Sequence, residues 1–150
     1  MPSNRLEWLN RVKAVEREHT ATRYATDYLL NTVQQNPAIL SRNLRVRDVA
    51  EASERLEGTY LIRLFAEFET SLRTFWIVSR KTEPPSRTRD LLDGIGSRRK
   101  IPHDAIAHAH QVREVRNNLI HKRDDPVDPI SIQLARSYLC SFLSFLPLEW

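Results

Sequence analysis

Cysteine, glycine and long apolar runs are all scarce in this 150-residue chain, and each scarcity narrows what the protein can be. Cys140 is the only cysteine, so neither an internal disulfide nor a cysteine-built zinc site can form. Three glycines are too few for a glycine-cradled phosphate loop or for the many turns of a β-sandwich. No apolar stretch approaches the roughly 20 residues of a membrane helix. The first ten residues, MPSNRLEWLN, lack the basic-then-apolar layout of a secretory signal. The expectation is a cytoplasmic protein with no membrane contact, folded as a single domain over 1–150. Lysine is scarce too. Of 23 basic side chains 19 are arginine, and the formal net charge is +4. Arginine forks match phosphate oxygens and stack on bases better than lysine does. The surplus is therefore compatible with nucleic acid without requiring it.

Helical spacing runs through almost the whole chain. Asn4 with Glu7 has the form of a capping box, and Leu6, Leu9, Val12 and Val15 then recur at helical intervals. This first helix extends to about Gln35, where Asn36-Pro37 stops it. Residues 38–47 read as a connection. Asp48 with Glu51 opens the strongest periodic stretch, in which Val49, Ala52, Leu56, Tyr60, Leu61, Leu64, Phe65, Phe68, Leu72, Phe75 and Trp76 form a wide apolar stripe ending near Arg80. Such a helix is on the order of 45–50 Å long, which makes it the scaffold's central rod. Glu83-Pro84-Pro85-Ser86 breaks the rod. Thr88 caps a short helix, Arg89 to about Leu92, ended by Gly94 and Gly96. Pro102 suits the first position of a helix reaching about His121. Asp124-Asp125-Pro126-Val127-Asp128-Pro129 is a turn-rich loop, and Asp128-Pro129 opens a last helix, Ile130 to Leu146, before Pro147. No segment alternates with period two for long enough to make a strand. The expected fold is all-α, a bundle of four to five helices with one long central helix.

The segment Glu114-Val115-Arg116-Asn117-Asn118-Leu119-Ile120-His121 carries the most chemistry. Taking Arg116 as zero, about 100° per residue puts Val112, Val115 and Leu119 at roughly −40°, −100° and −60°, the buried stripe. His110, Arg113, Asn117 and His121 fall at roughly 60° to 140°, a continuous polar face with Arg116 at its border. Histidine can give or take a proton near neutral pH, and arginine can neutralise a phosphorane. The plainer reading of the same residues is a helix-terminal histidine and an arginine laying its stem on the core.

The wording VREVRNNLIHKR resembles the signature of the HEPN superfamily (higher eukaryote and prokaryote nucleotide-binding domains), an arginine, a polar residue and a histidine near the end of a late helix. LIRLFAEFETSLRTFW resembles that family's long second helix and puts Glu69 at its acidic position. The likeness spans most of the chain. It implies a metal-independent endoribonuclease without a cofactor, found among toxins, abortive-infection systems and other defence proteins. The family works as a homodimer with both motif helices facing one cleft. Its partners are RNA and, in toxin systems, an antitoxin or another inhibitor protein. By that resemblance His121 handles proton transfer and Arg116 holds and neutralises the scissile phosphate. Asn117 orients substrate or His121, and Glu69 positions Arg116 or His121. The implied reaction is attack by the ribose 2′-hydroxyl to leave a 2′,3′-cyclic phosphate, so DNA is inert. One subfamily, paired with a minimal nucleotidyltransferase antitoxin, carries a tyrosine two residues after the histidine. Arg123 stands there, which excludes silencing by modification of that tyrosine.

Further candidates are weighed against plainer roles. His103, His108 and His110 do not share one tight helical face, so no metal site is expected; His110 is a substrate-contact candidate because it shares the motif's face. Arg113 is another. Arg98-Arg99-Lys100 could grip an RNA backbone or could be a solvated loop. Glu69 and Arg73, at i and i+4, read as a helix-surface pair. Leu139, Phe142, Leu143, Phe145, Leu146 and Trp150 are core, with surplus aromatics suited to a dimer surface. Against the ribonuclease stands a catalytically inactive HEPN-like module that binds nucleotide or a partner protein. A DNA-binding helical regulator is a third reading, without any helix-turn-helix spacing in its favour.

Overall fold

A computed structural model describes residues 2, 4–121 and 127–150; the sequence features at Arg123, Asp124, Asp125 and Pro126 lie outside them. The fold is all-α. Five helices follow in order: α1 (Arg5–Gln35), α2 (Val46–Arg80), α3 (Thr88–Arg98), α4 (His103–His121) and α5 (Ile132–Ser144), with a 3-10 turn at Pro37–Ile39 after α1. Among the described residues there is no strand beyond one isolated bridge, Asn4 to Glu149. None of these helices is long and apolar enough to cross a membrane.

α1 starts where its cap predicts. The Asn4 side-chain oxygen accepts from the Glu7 backbone N–H at 2.9 Å. Of its expected apolar face Val12 and Val15 are buried and Leu9 packs against the core, but Leu6 is 55% exposed, and Trp8 and Val33 are buried as well. α2 begins two residues before Asp48, whose carboxylate accepts from the Arg45 backbone N–H at 2.9 Å. Asp48 therefore closes the first turn from inside rather than preceding it. The two long helices lie against each other in antiparallel fashion. Thr22 and Tyr60 hydroxyls meet at 2.8 Å, Arg23 donates to Ser53 at 3.0 Å, and Arg63 pairs with Glu18.

α2 is the rod. Leu61, Leu64, Phe65, Phe68, Leu72, Phe75 and Trp76 are buried along it and meet α5 through the Phe68–Phe142 edge contact at 5.6 Å. α4 buries Ala105, Ala109, Val112 and Val115 in the core, with Ile106 packed at its edge against α3. Small side chains let it lie close to the rod, which is what brings the motif helix within reach of α2. The chain ends are joined. Arg5 donates its guanidinium to the carbonyls of Ser144 (2.8 Å) and Leu146 (2.7 Å), satisfying the last turn of α5.

The end of α3 and both ends of the last helix differ from the sequence expectation. α3 does not end at Gly94 or Gly96 but runs to Arg98. A Cβ at Gly94 would meet Trp76 at 3.0 Å, and one at Gly96 would meet Ile106 at 2.5 Å. These glycines permit close helix approach; the chain turns instead at Lys100, whose φ is 52°. The last helix starts at Ile132, capped by the Ser131 hydroxyl, which accepts from Leu134 N–H at 3.1 Å. Asp128-Pro129 stays in the preceding loop, and the helix ends at Ser144. Pro102 precedes α4 by one residue, its carbonyl accepting from Ile106 N–H.

Cys140 is half-buried, and burial pushes its thiol pKa above the ordinary value; Arg136 and Lys13 oppose that shift less strongly. Its modification by Ellman's reagent at pH 8 is expected to be slower than in urea-unfolded protein and to accelerate as pH rises further. Equal rates in the two states would contradict the burial. Gly96→Ala should lower unfolding stability by about 1–3 kcal/mol in urea, because crowding at Ile106 outweighs the gain in helix propensity. Ile106→Ala in the same background should recover part of that loss.

Candidate functional site

Val112 and Val115 fix the rotation of α4 by burying one stripe, and this places Arg116 at the border facing α2. Its guanidinium lies over the Phe65 ring, 4.7 Å from the centroid. From there Nη2 donates to Glu69 Oε2 at 3.3 Å. Glu69 is one helical turn beyond Phe65 on α2, so stacking and ion pair come from the same face of the rod. The Arg116 and Glu69 side chains are 19% and 22% exposed.

Glu69 is a junction. Its Oε1 accepts from Arg73 Nη2 at 2.8 Å, from Arg73 Nε at 3.1 Å and from the Thr88 hydroxyl at 2.8 Å. Arg73 reaches on to the carbonyls of Pro85 (3.0 Å) and Ser86 (3.1 Å). One carboxylate thus ties α2, the Pro-Pro turn, the start of α3 and the motif helix together. Arg73 is the structural partner that its spacing predicted. Thr88, expected as a helix cap, instead serves Glu69, and no spacing rule would have revealed that role.

The junction leaves positive charge over. Two guanidinium groups share one carboxylate, and the bond to Arg116 is longer than the 2.7–2.9 Å usual for charged pairs. Arg116 Nε is buried with no hydrogen-bond partner among the described residues. A shallow depression of about 170 Å³ opens beside it, lined by Ile62, Phe65, Glu69, Arg116 and Ile120 among others. On the other side of the last turn of α4 lies a groove of about 520 Å³, lined by Arg55, Gly58, Thr59, Asn118 and Leu119 and sharing Ile62. Leu119, expected in the buried stripe, is 41% exposed there. It rests on Gly58, where an added Cβ would meet Leu119 at 3.2 Å. The buried Asn118 Oδ1 has no hydrogen-bond partner among the described residues.

The other candidates separate into distinct places. His121 is the final residue of α4, exposed, lining neither depression and making no hydrogen bond among the described residues. Asn117 is half-buried between it and Arg116. Around the helix, Arg116 and His121 stand roughly 140° apart. His110 and Arg113 belong to a strap between α3 and α4. His110 Nε2 meets Asp93 at 2.6 Å, its Nδ1 accepts from Arg113 Nε at 3.3 Å, and Arg113 pairs with Glu114. Arg98 and Arg99 wall a hollow against the end of α2, and Lys100 lines a separate one beside His103. His108 stacks on Tyr138 at 4.0 Å. Among the described residues no three His, Cys, Asp or Glu side chains are grouped to hold a metal ion.

A scan against family models finds no match for the chain, and searches of the curated proteins and of the solved structures find none either. The site must be read from its own geometry.

Glu69→Gln should cost about 1–3 kcal/mol in unfolding free energy, since the charged acceptor of two arginines and a hydroxyl is lost. Thr88→Val should cost about 1 kcal/mol through the same oxygen. Urea titration measures both, and a neutral Glu69→Gln change would mean the junction does not hold the helices together.

Proposed function

We propose that this chain is an endoribonuclease of the HEPN type that needs no metal, acting as a homodimer on RNA. The observation that supports this reading best is the under-neutralised Arg116. It is oriented by Phe65 and Glu69, carries a buried Nε without a partner, and borders an open depression. A guanidinium held in advance beside a void is suited to an anion that arrives and gains charge during reaction.

In the reaction, a ribose 2′-oxygen attacks the adjacent phosphorus as its proton leaves to a base. The 5′-oxygen departs with a proton from an acid, and the products are a 2′,3′-cyclic phosphate and a 5′-hydroxyl. Arg116 neutralises the phosphorane oxygens. His121 transfers protons, and Asn117 orients the substrate or the imidazole. Because Arg116 and His121 look away from each other on one helix, the two roles come together most readily when a second copy places its own α4 across the cleft. Two copies also supply two imidazoles, one for each proton. RNA arriving at such a cleft is met by arginine-rich chemistry, and DNA lacks the attacking hydroxyl. A toxin or defence effector, restrained by an antitoxin or other inhibitor, is the biological role this chemistry fits.

A second reading has its own observation. Arg116 is only 19% exposed and already engaged by Glu69, which suits a catalytically inactive module that binds nucleotide or a partner protein. Cleavage separates the two. Purified protein should cut single-stranded RNA in the presence of EDTA, leave cyclic-phosphate ends and spare DNA of the same sequence. His121→Ala should slow cutting by about 10²–10⁴-fold. Arg116→Ala should slow it by about 10²–10³-fold while the circular dichroism spectrum stays helical. Undiminished cutting in both variants would retire the site, and no cutting by the wild-type chain would favour the inactive module.

A further inference from the structure

A second basic hollow, away from the motif helix, is built between the ends of α2 and α3. It has a volume of about 230 Å³ and is lined by Phe75, Trp76, Ser79 and Arg80 from α2, by Ile95 and Arg98 from α3, and by Arg99 just after it. No carboxylate lines it. Arg80 stacks on the Trp76 indole, its Cζ 4.0 Å from the ring centroid. That stacking fixes the guanidinium plane without neutralising it. Among the described residues the buried Arg80 Nη2 has no hydrogen-bond partner, and neither does the buried Nε1 of Trp76.

Buried donors are ordinarily satisfied. Two orphan donors on stacked side chains, with the exposed Arg98 and Arg99 lining the same hollow, are the makings of an anion site. Each of the two helix C-termini welcomes one cation, which accounts for Arg80 on α2 and Arg98 on α3; Arg99 exceeds that need.

We propose that this hollow binds a phosphate group at a site distinct from Arg116, with Arg80 and Trp76 as its inner wall and the exposed Arg98 and Arg99 as its outer clamp. Guanidinium forks favour tetrahedral oxyanions of high charge, and a group the size of phosphate fits the volume. The phosphate belongs either to a free or terminal phosphomonoester or to an internal position of a polynucleotide. Along α2, Trp76 to Arg80 lie roughly 10–16 Å beyond Glu69, a span of two to three nucleotides. The proposal requires no cleavage and so stands or falls independently of the ribonuclease reading.

The test follows the indole N–H of Trp76 in the ¹H–¹⁵N spectrum, assigned by its loss in Trp76→Phe. Inorganic phosphate should shift that resonance saturably, whereas sodium chloride at matched ionic strength should not. Arg80→Gln should weaken phosphate binding at least about tenfold, the loss of one charge-assisted bond. The exposed double change Arg98→Gln with Arg99→Gln should do the same without disturbing the fold. His121→Ala should bind as wild type. A stronger response to 5′-AMP than to a DNA decamer lacking terminal phosphates assigns a phosphomonoester; a stronger response to the decamer assigns an internal phosphate. A Trp76 resonance unmoved by all three probes, moved equally by chloride, or shifted unchanged in both arginine variants would overturn the site.

Discussion

The carboxylate of Glu69 is the contact on which the geometry of this molecule turns. Three groups from two other segments and its own helix converge on it: Arg73, the Thr88 hydroxyl and Arg116. Because it sits on the buried side of the rod's edge, with 22% of its side chain exposed, these bonds are less diluted by water than ordinary surface pairs. It sets where α3 starts, how the Pro-Pro turn folds back, and which way the motif arginine points. Removing it would release all three at once.

That arrangement also explains why the two most reactive side chains of the motif have different characters. Arg116 is positioned by the core: α4 is rotated by Val112 and Val115, and the guanidinium is laid on Phe65. Among the described residues His121 has no hydrogen-bond partner and is placed by its position at the end of α4. A fixed cation and a free imidazole, turned away from each other, form half a site rather than a whole one. In the ribonuclease reading the missing half is another copy of the same half. The exposed Leu119 and Ile120 beside them are apolar enough to be covered in such a contact.

Much of the fold was legible in the residues because burial follows period. The stripe from Leu61 to Trp76 announced the rod, Asn4 announced the start of α1, and Asn36-Pro37 announced its end. Glu69 and Arg73 were legible as a pair from i, i+4 spacing. What escaped was set by neighbours distant in sequence. Gly94 and Gly96 read locally as helix terminators, yet they are the places where Trp76 and Ile106 press in. Thr88 read as a cap because nothing local shows that a carboxylate 19 positions earlier faces it. Leu119 read as core because its angle is right, but the rod offers it only Gly58 and an open groove. The orphan donors at Trp76 and Arg80 have no sequence signature at all, since a missing partner is a property of three dimensions.

The central claim is that Arg116 and His121 serve one phosphate. A crystal structure with an RNA oligonucleotide whose attacking 2′-hydroxyl is replaced by hydrogen tests it most directly, because the substrate is then bound but uncut. The account predicts one phosphate within hydrogen-bond distance of the Arg116 guanidinium and of a His121 imidazole, from the same copy or from its dimer mate. A bound oligonucleotide that leaves Arg116 engaged only by Glu69, with both imidazoles far from any phosphate, would contradict it.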